Sequence, residues 1–218
     1  VVVASRTVGY PSGFLPSNYK VFEVIGFNRK QQEIFLRKWF SSEPDKSQQL
    51  LTAIDANRGM QGLSRNPLLL SLMAIVVEND PTFKLPTQRI ELYARAVELL
   101  LERWRNSQGV LRVSSPSKIG RRKLLEHLAF TNFVQDKEIF TEYDLLSQIN
   151  HWQDMEEGAL LKTHTPDEIL NILSVDNGLL ARHAQTEFRF LHLTFQEYFT
   201  ACAIKSNLLE KEQIASYI

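Results

Sequence analysis

Beyond Phe27 the sequence turns helical and stays helical almost to its end, which restricts the chain to a mainly α architecture. The segment "TQRIELYARAVELLLERW" shows the pattern best. Its Ile90, Ala94, Val97, Leu101 and Trp104 fall at alternating spacings of four and three, which predicts one buried stripe. Ahead of it, Asn28 with Gln31 forms an imperfect capping box opening "NRKQQEIFLRKWF". "KSQQLLTAIDAN" reads as a second helix closed near Gly59. "NPLLLSLMAIVVEN" reads as another, with Pro67 at the first helical position, where a missing N–H costs nothing. These four helices end at "RNSQGVLRVSSPSK", whose Ser, Gly and Pro content marks a boundary.

The pattern resumes with "KIGRRKLLEHLAFTNFV" and with "TEYDLLSQINHW", which starts at Thr141. In "TPDEILNILSV" a single tetrapeptide supplies an N-cap (Thr165), an N1 proline (Pro166) and an N3 glutamate (Glu168). Gly178 is placed to end that helix. "LLARHAQTEFRFLHL" then predicts two short strands folded about Gln185, and Thr194 with Glu197 matches the capping box of a last helix. Helices followed by a small hairpin suggest a winged helix. The N-terminal residues read differently: "VVVASRT" and "YKVFEVIGF" are strand-like, separated by a loop rich in Gly, Pro and Ser. Because Val1 stands in mid-strand pattern and is not a methionine, the chain is expected to be a fragment.

Composition removes several classes of function. The 25 Lys and Arg residues balance the 25 Asp and Glu residues over 218 positions, so no net field draws the chain to nucleic acid or anionic lipid. The single Cys202 excludes an internal disulfide and fits a reducing, cytoplasmic compartment. The apolar run "PLLLSLMAIVV" is about half of the roughly 20 residues a bilayer crossing needs.

Chemistry-bearing motifs are missing. There is no G-x-x-x-x-G-K followed by Ser or Thr, no HExxH, no CxxC and no G-x-S-x-G. His127, His151, His164 and His183 have no metal-ligand spacing with one another. Catalysis is not expected of these residues unaided. Trp39, Trp104 and Trp152 read as core or interface residues, Cys202 as a small buried hydrophobe, and "RRK" at 121–123 as a solvated helix face.

Three residues remain as ligand candidates, each with two open readings. Arg6 stands at the carboxyl end of an apolar strand, where α/β sheets hold ligands and where a guanidinium suits phosphate; it could equally pair with a surface carboxylate. Pro67 could close over a flat aromatic ligand or could simply start its helix. His192 lies between leucines just ahead of a helix start, where anions are favoured, and could reach a phosphate or pack in the core.

The order of these pieces is more specific than any one of them. "ASRTVGY", then "RNPLLLSLMAIV", then "FRFLHLTFQEYFTA" resembles the C-terminal part of a NACHT domain, the signal-transduction NTPases of the STAND class that include NOD-like receptors. The resemblance implies the end of a parallel α/β NTPase sheet over residues 1–27 and a four-helix helical domain over 28–107. A winged-helix domain would follow over 115–206, and a further helical region would start at 207–218. It implies that Arg6 reads the terminal phosphate of ATP, Pro67 packs on adenine and His192 contacts the β-phosphate of ADP. The cofactor would be ATP or ADP with Mg²⁺ in the full-length protein, whose phosphate loop and Mg²⁺ ligands lie upstream. Partners would be that upstream half and, on activation, further copies of the protein, with a signalling role in defence or regulation. Two other classes stay open: a winged-helix module for nucleic acid, and a helical protein-interaction module without nucleotide.

Overall fold

The computed structural model describes residues 22, 25–79, 86, 88–102 and 116–206. The expected end of the nucleotide-binding sheet, Arg6, most of the boundary stretch with Trp104, and the region from 207 lie outside the described residues. The chain divides into two compact units, Val1–Ser71 and Leu72–Ile218.

In the first unit, α1 (Arg29–Trp39), α2 (Pro44–Asp55) and α3 (Arg58–Leu63) pack in sequence, and α4 (Pro67–Asn79) begins. The Asn28–Gln31 box forms in both directions: Asn28 Oδ1 accepts from the Gln31 N–H at 3.0 Å, and the Gln31 side chain accepts from the Asn28 N–H at 2.9 Å. Leu36, Phe40, Leu50, Leu51, Ile54 and Met60 make the core. Inside it the Gln32 amide donates to Ser64 Oγ, so this buried polar pair is satisfied. Trp39 is half-buried against Phe35. Helix α3 was not foreseen, because Gly59 reads as a terminator. Instead Asn57 caps a fresh helix, its side chain accepting from the N–H groups of Gly59 and Met60.

In the second unit α5 (Arg89–Glu102) and α9 (Leu193–Lys205) both pack on α6 (Lys118–Val134). Between α6 and α9 come β1 (Phe140–Thr141), α7 (Glu142–Asp154), a 3₁₀ turn (Glu157–Leu161), α8 (Pro166–Asn171) with a π turn (Ile172–Asp176), and the hairpin β2 (Leu180–Ala184) and β3 (Glu187–Phe190). The strands form one antiparallel sheet in the order β1-β3-β2, with Phe140 opposite Phe188 and Leu180 opposite Phe190. Helix, strand, two helices and a hairpin in this order make a winged helix. Together with α1–α5 it is the mainly α fold expected, though the two-residue β1 was too short to see in the sequence.

Local chemistry explains the element ends. The Thr165–Glu168 box forms in both directions. Gly178 adopts a φ of 62°, the left-handed conformation that glycine enters without a Cβ penalty. Gly158 has a different reason to be glycine: a Cβ there would lie 1.9 Å from the Trp152 carbonyl oxygen. Phe140, Phe188, Phe190, Phe195, Phe199 and Trp152 fill the core between the sheet and the helices.

Two expectations need correction. The buried stripe of α5 is Leu92, Tyr93, Ala96, Val97, Leu100 and Leu101, while Ile90 is 53% exposed. The face is rotated because Tyr93 is turned inward, where its ring can be buried while its hydroxyl finds a partner. The "RRK" triplet is no solvated face either. Arg121 is buried, Arg122 is paired with Glu98 and Glu126, and Lys123 is paired with Glu157. Cys202 is half-buried.

Candidate functional site

The N-terminus of α9 carries a capping residue that the sequence did not suggest. Thr194 and Glu197 fit the capping-box pattern, yet the helix starts one residue before Thr194, and its N-cap is His192. With φ −149° and ψ 147° this residue is extended, and its Nδ1 accepts from the Thr194 N–H at 3.2 Å. Upstream, the Leu191 N–H donates to the Leu179 carbonyl at 2.9 Å, tying the chain just before the cap to the residue that precedes β2. Downstream, the Gln196 side chain donates to the Lys137 carbonyl. The cap is therefore fixed on both sides.

His192 is exposed, which rules out its packing in the core. The Thr194 hydroxyl oxygen lies 3.0 Å from Nδ1 and accepts from the Tyr93 hydroxyl at 2.7 Å. An imidazole nitrogen that accepts an N–H carries no proton, so the neutral ring is protonated on Nε2. The site can donate to an anion beside the positive end of a 13-residue helix.

Around Tyr93 the aromatic packing is dense. Its ring stacks on Tyr198 at 5.7 Å and meets the Phe195 ring edge-on at 5.4 Å, with Arg89 5.5 Å from its centroid. Tyr198 in turn accepts from Arg122 at 3.1 Å. Burial, aided by neighbouring Cys202 and opposed by Arg122, pushes the Tyr198 hydroxyl up to about 12, so it stays protonated. Burial works against the charge on Arg122, but Tyr198, Glu126 and Glu98 outweigh it and hold the guanidinium charged.

Pro67 is exposed at the first position of α4, and Asn66 before it accepts from the N–H groups of Leu68 and Leu69. Its helix-starting role is thus fully formed and leaves the residue at the surface. Pro67 belongs to the first compact unit and His192 to the second.

A family model described as "Winged helix-turn-helix domain C-terminal to NACHT" matches residues 89–204. The chain belongs to this family. The match takes in α5 along with the elements from α6 to α9, so Tyr93 and His192 lie within one NACHT-associated domain. Across its whole length the chain is also 23% identical, over 220 aligned residues, to Protein NLRC5 of Homo sapiens. It spans 11% of the length of that relative. It thus carries the winged-helix region that stands C-terminal to NACHT in a NOD-like-receptor-like protein.

By charge, α8 offers little to a phosphate backbone. The helix that would enter a groove, α8 with its π turn, carries Asp167, Glu168 and Asp176 and no Lys or Arg. Among the described residues no group of three or more His, Cys, Asp or Glu side chains could hold a metal, and no helix is long and apolar enough to cross a membrane.

Sequence reasoning singled out His192 as a candidate but did not foresee the Tyr93 and Thr194 hydroxyls beside it. A signal existed: a tyrosine on the buried stripe of an amphipathic helix needs a partner for its hydroxyl.

Proposed function

We propose that this segment is the nucleotide-responsive C-terminal part of a NACHT switch ATPase. Arg6 reads the terminal phosphate, Pro67 packs on adenine, and His192 donates to the β-phosphate of ADP. The phosphate loop and Mg²⁺ ligands come from the upstream half of the same domain. ADP holds a closed form through His192; exchange for ATP changes those contacts and favours an open, oligomerising form that signals in cytoplasmic defence or regulation. A difference in affinity for two arrangements is all that such a switch requires.

The observation that carries the reading is the geometry of His192. The ring is exposed, its Nδ1 is committed to the helix cap, and its remaining nitrogen is a donor at a helix N-terminus. Losing one charge-assisted hydrogen bond, about 1.5–3 kcal/mol, shifts a closed-to-open ratio roughly ten- to a hundredfold. In a protein that includes the upstream half, His192→Asn keeps a capping side chain and removes the imidazole donor. Both His192→Asn and His192→Ala are expected to release ADP faster and to oligomerise more readily. Wild-type ADP occupancy in both purified variants would defeat the assignment.

A further inference from the structure

We infer that Tyr93 and Thr194 are positioning residues that dictate which nitrogen of His192 meets the ligand. The inference rests on the nucleotide reading for the ligand's identity, but the positioning itself does not. Two donors converge on Nδ1. One is the Thr194 backbone N–H, 3.2 Å away. The other is the Thr194 hydroxyl, 3.0 Å away, whose oxygen already accepts the Tyr93 proton and whose own proton is thereby directed to the ring. A ring protonated on Nδ1 would set N–H against N–H and leave the first turn of α9 without its cap. The relay thus selects the Nε2–H form, a donor suited to a phosphate oxygen and mismatched to another N–H.

Tyr93 is well built for the task. It is 3% exposed, and its ring is fixed between Tyr198 and Phe195, so its hydroxyl has little freedom to turn elsewhere. Because Tyr93 belongs to α5 and Thr194 to α9, the relay also couples the two helices. A rearrangement that withdraws α5 from α9 removes the Tyr93 donor and releases the preference at His192. The ring is then presented correctly only while the two helices are docked.

Long-range ¹H–¹⁵N spectra of the 218-residue chain, labelled at its five histidines, test the relay directly. His192 is assigned by its loss in His192→Asn. The wild type is expected to show an Nε2–H ring with Nδ1 shifted as a hydrogen-bond acceptor. Thr194→Val moves Nδ1 toward the unbonded position, Tyr93→Phe moves it part of the way, and Thr194→Ser restores it. A proton on Nδ1 in the wild type, or an Nδ1 signal indifferent to Thr194→Val in a folded variant, overturns the relay.

A second arm measures ADP release in a protein that includes the upstream half. Thr194→Val should speed release about three- to tenfold, the range of one ordinary hydrogen bond, with Thr194→Ser close to wild type. Release unchanged in Thr194→Val but faster in His192→Asn removes the positioning role and leaves the nucleotide reading standing. Release unchanged in both removes the nucleotide reading, while the spectra still judge the relay.

Discussion

Half-buried in α6, His127 resists taking a proton. Burial lowers its affinity for protons, the nearby His151 lowers it further, and Glu157 opposes both. The folded chain therefore binds a proton at His127 less readily than the unfolded chain, in which an ordinary histidine titrates near about 6.5. Stability from this residue is complete above that value and is lost as the pH falls through and below it. Lowering the pH from 8 to 5 should depress the melting temperature, with the drop beginning near about 6.5. His127→Gln should flatten that drop. An identical pH profile in the variant would assign the acid sensitivity to other groups. The same scale shows what the sequence hides. His192 was legible as a histidine before a helix, but not as the cap itself, because the neighbouring Thr194 and Glu197 imitate a capping box. Arg121 was misread because a basic triplet on a helix looks solvated, and only its partners reveal otherwise.

Those partners act at the scale of elements. The Arg121 guanidinium is buried at the carboxyl end of α5, donating to the Leu101 carbonyl at 3.2 Å and to Asn177 Oδ1 at 2.9 Å. Asn177 turns its amide back to donate to the Leu100 carbonyl at 2.9 Å. Two carbonyls that α5 leaves open at its end are thus satisfied by α6 and by the residue following the π turn, with a positive charge where the helix dipole is negative. Asn177→Ala deletes both bonds inside the core. At roughly 1–3 kcal/mol for each of the two groups left unsatisfied, a loss of about 2–6 kcal/mol is expected. That corresponds to a melting point lower by roughly 5–25 °C for a domain of this size. A shift below about 2 °C would show that water replaces the amide at little cost. Elements defined by their own caps were the most legible in the sequence: Asn28–Gln31 and Thr165–Glu168 formed as read. Elements defined by partners far along the chain, such as β1 pairing with β3 and the rotated face of α5, were not, because periodicity carries no record of what lies opposite.

For the whole molecule, fold class and family were legible and the complete site was not. The order of helices followed by a small hairpin is written in the apolar pattern, and the matched span of residues 89–204 agrees with it. The proposed nucleotide site is different, since that reading draws its phosphate loop from other residues, and no pattern within these 218 could reveal it. What the second unit does contain is unusually well fastened across the 103–115 stretch. Lys118 bridges Glu98 and Glu102 at 2.5 and 2.6 Å, Arg122 reaches Glu98, and the Arg121–Asn177 clamp and the Tyr93–Thr194 bond add to them.

With these fastenings, the two sides are expected to hold together without the covalent link between them. Residues 1–108 and 109–218, produced as two polypeptides, should therefore find each other and co-elute as one particle. High salt should weaken the pair only modestly, because the Arg121 clamp and the aromatic stack are buried away from screening ions. Two halves that elute separately at micromolar concentration would contradict this. If they do reassemble, a protease nick between α5 and α6 would leave the domain whole, and a split-reporter pair could be grafted onto the severed ends.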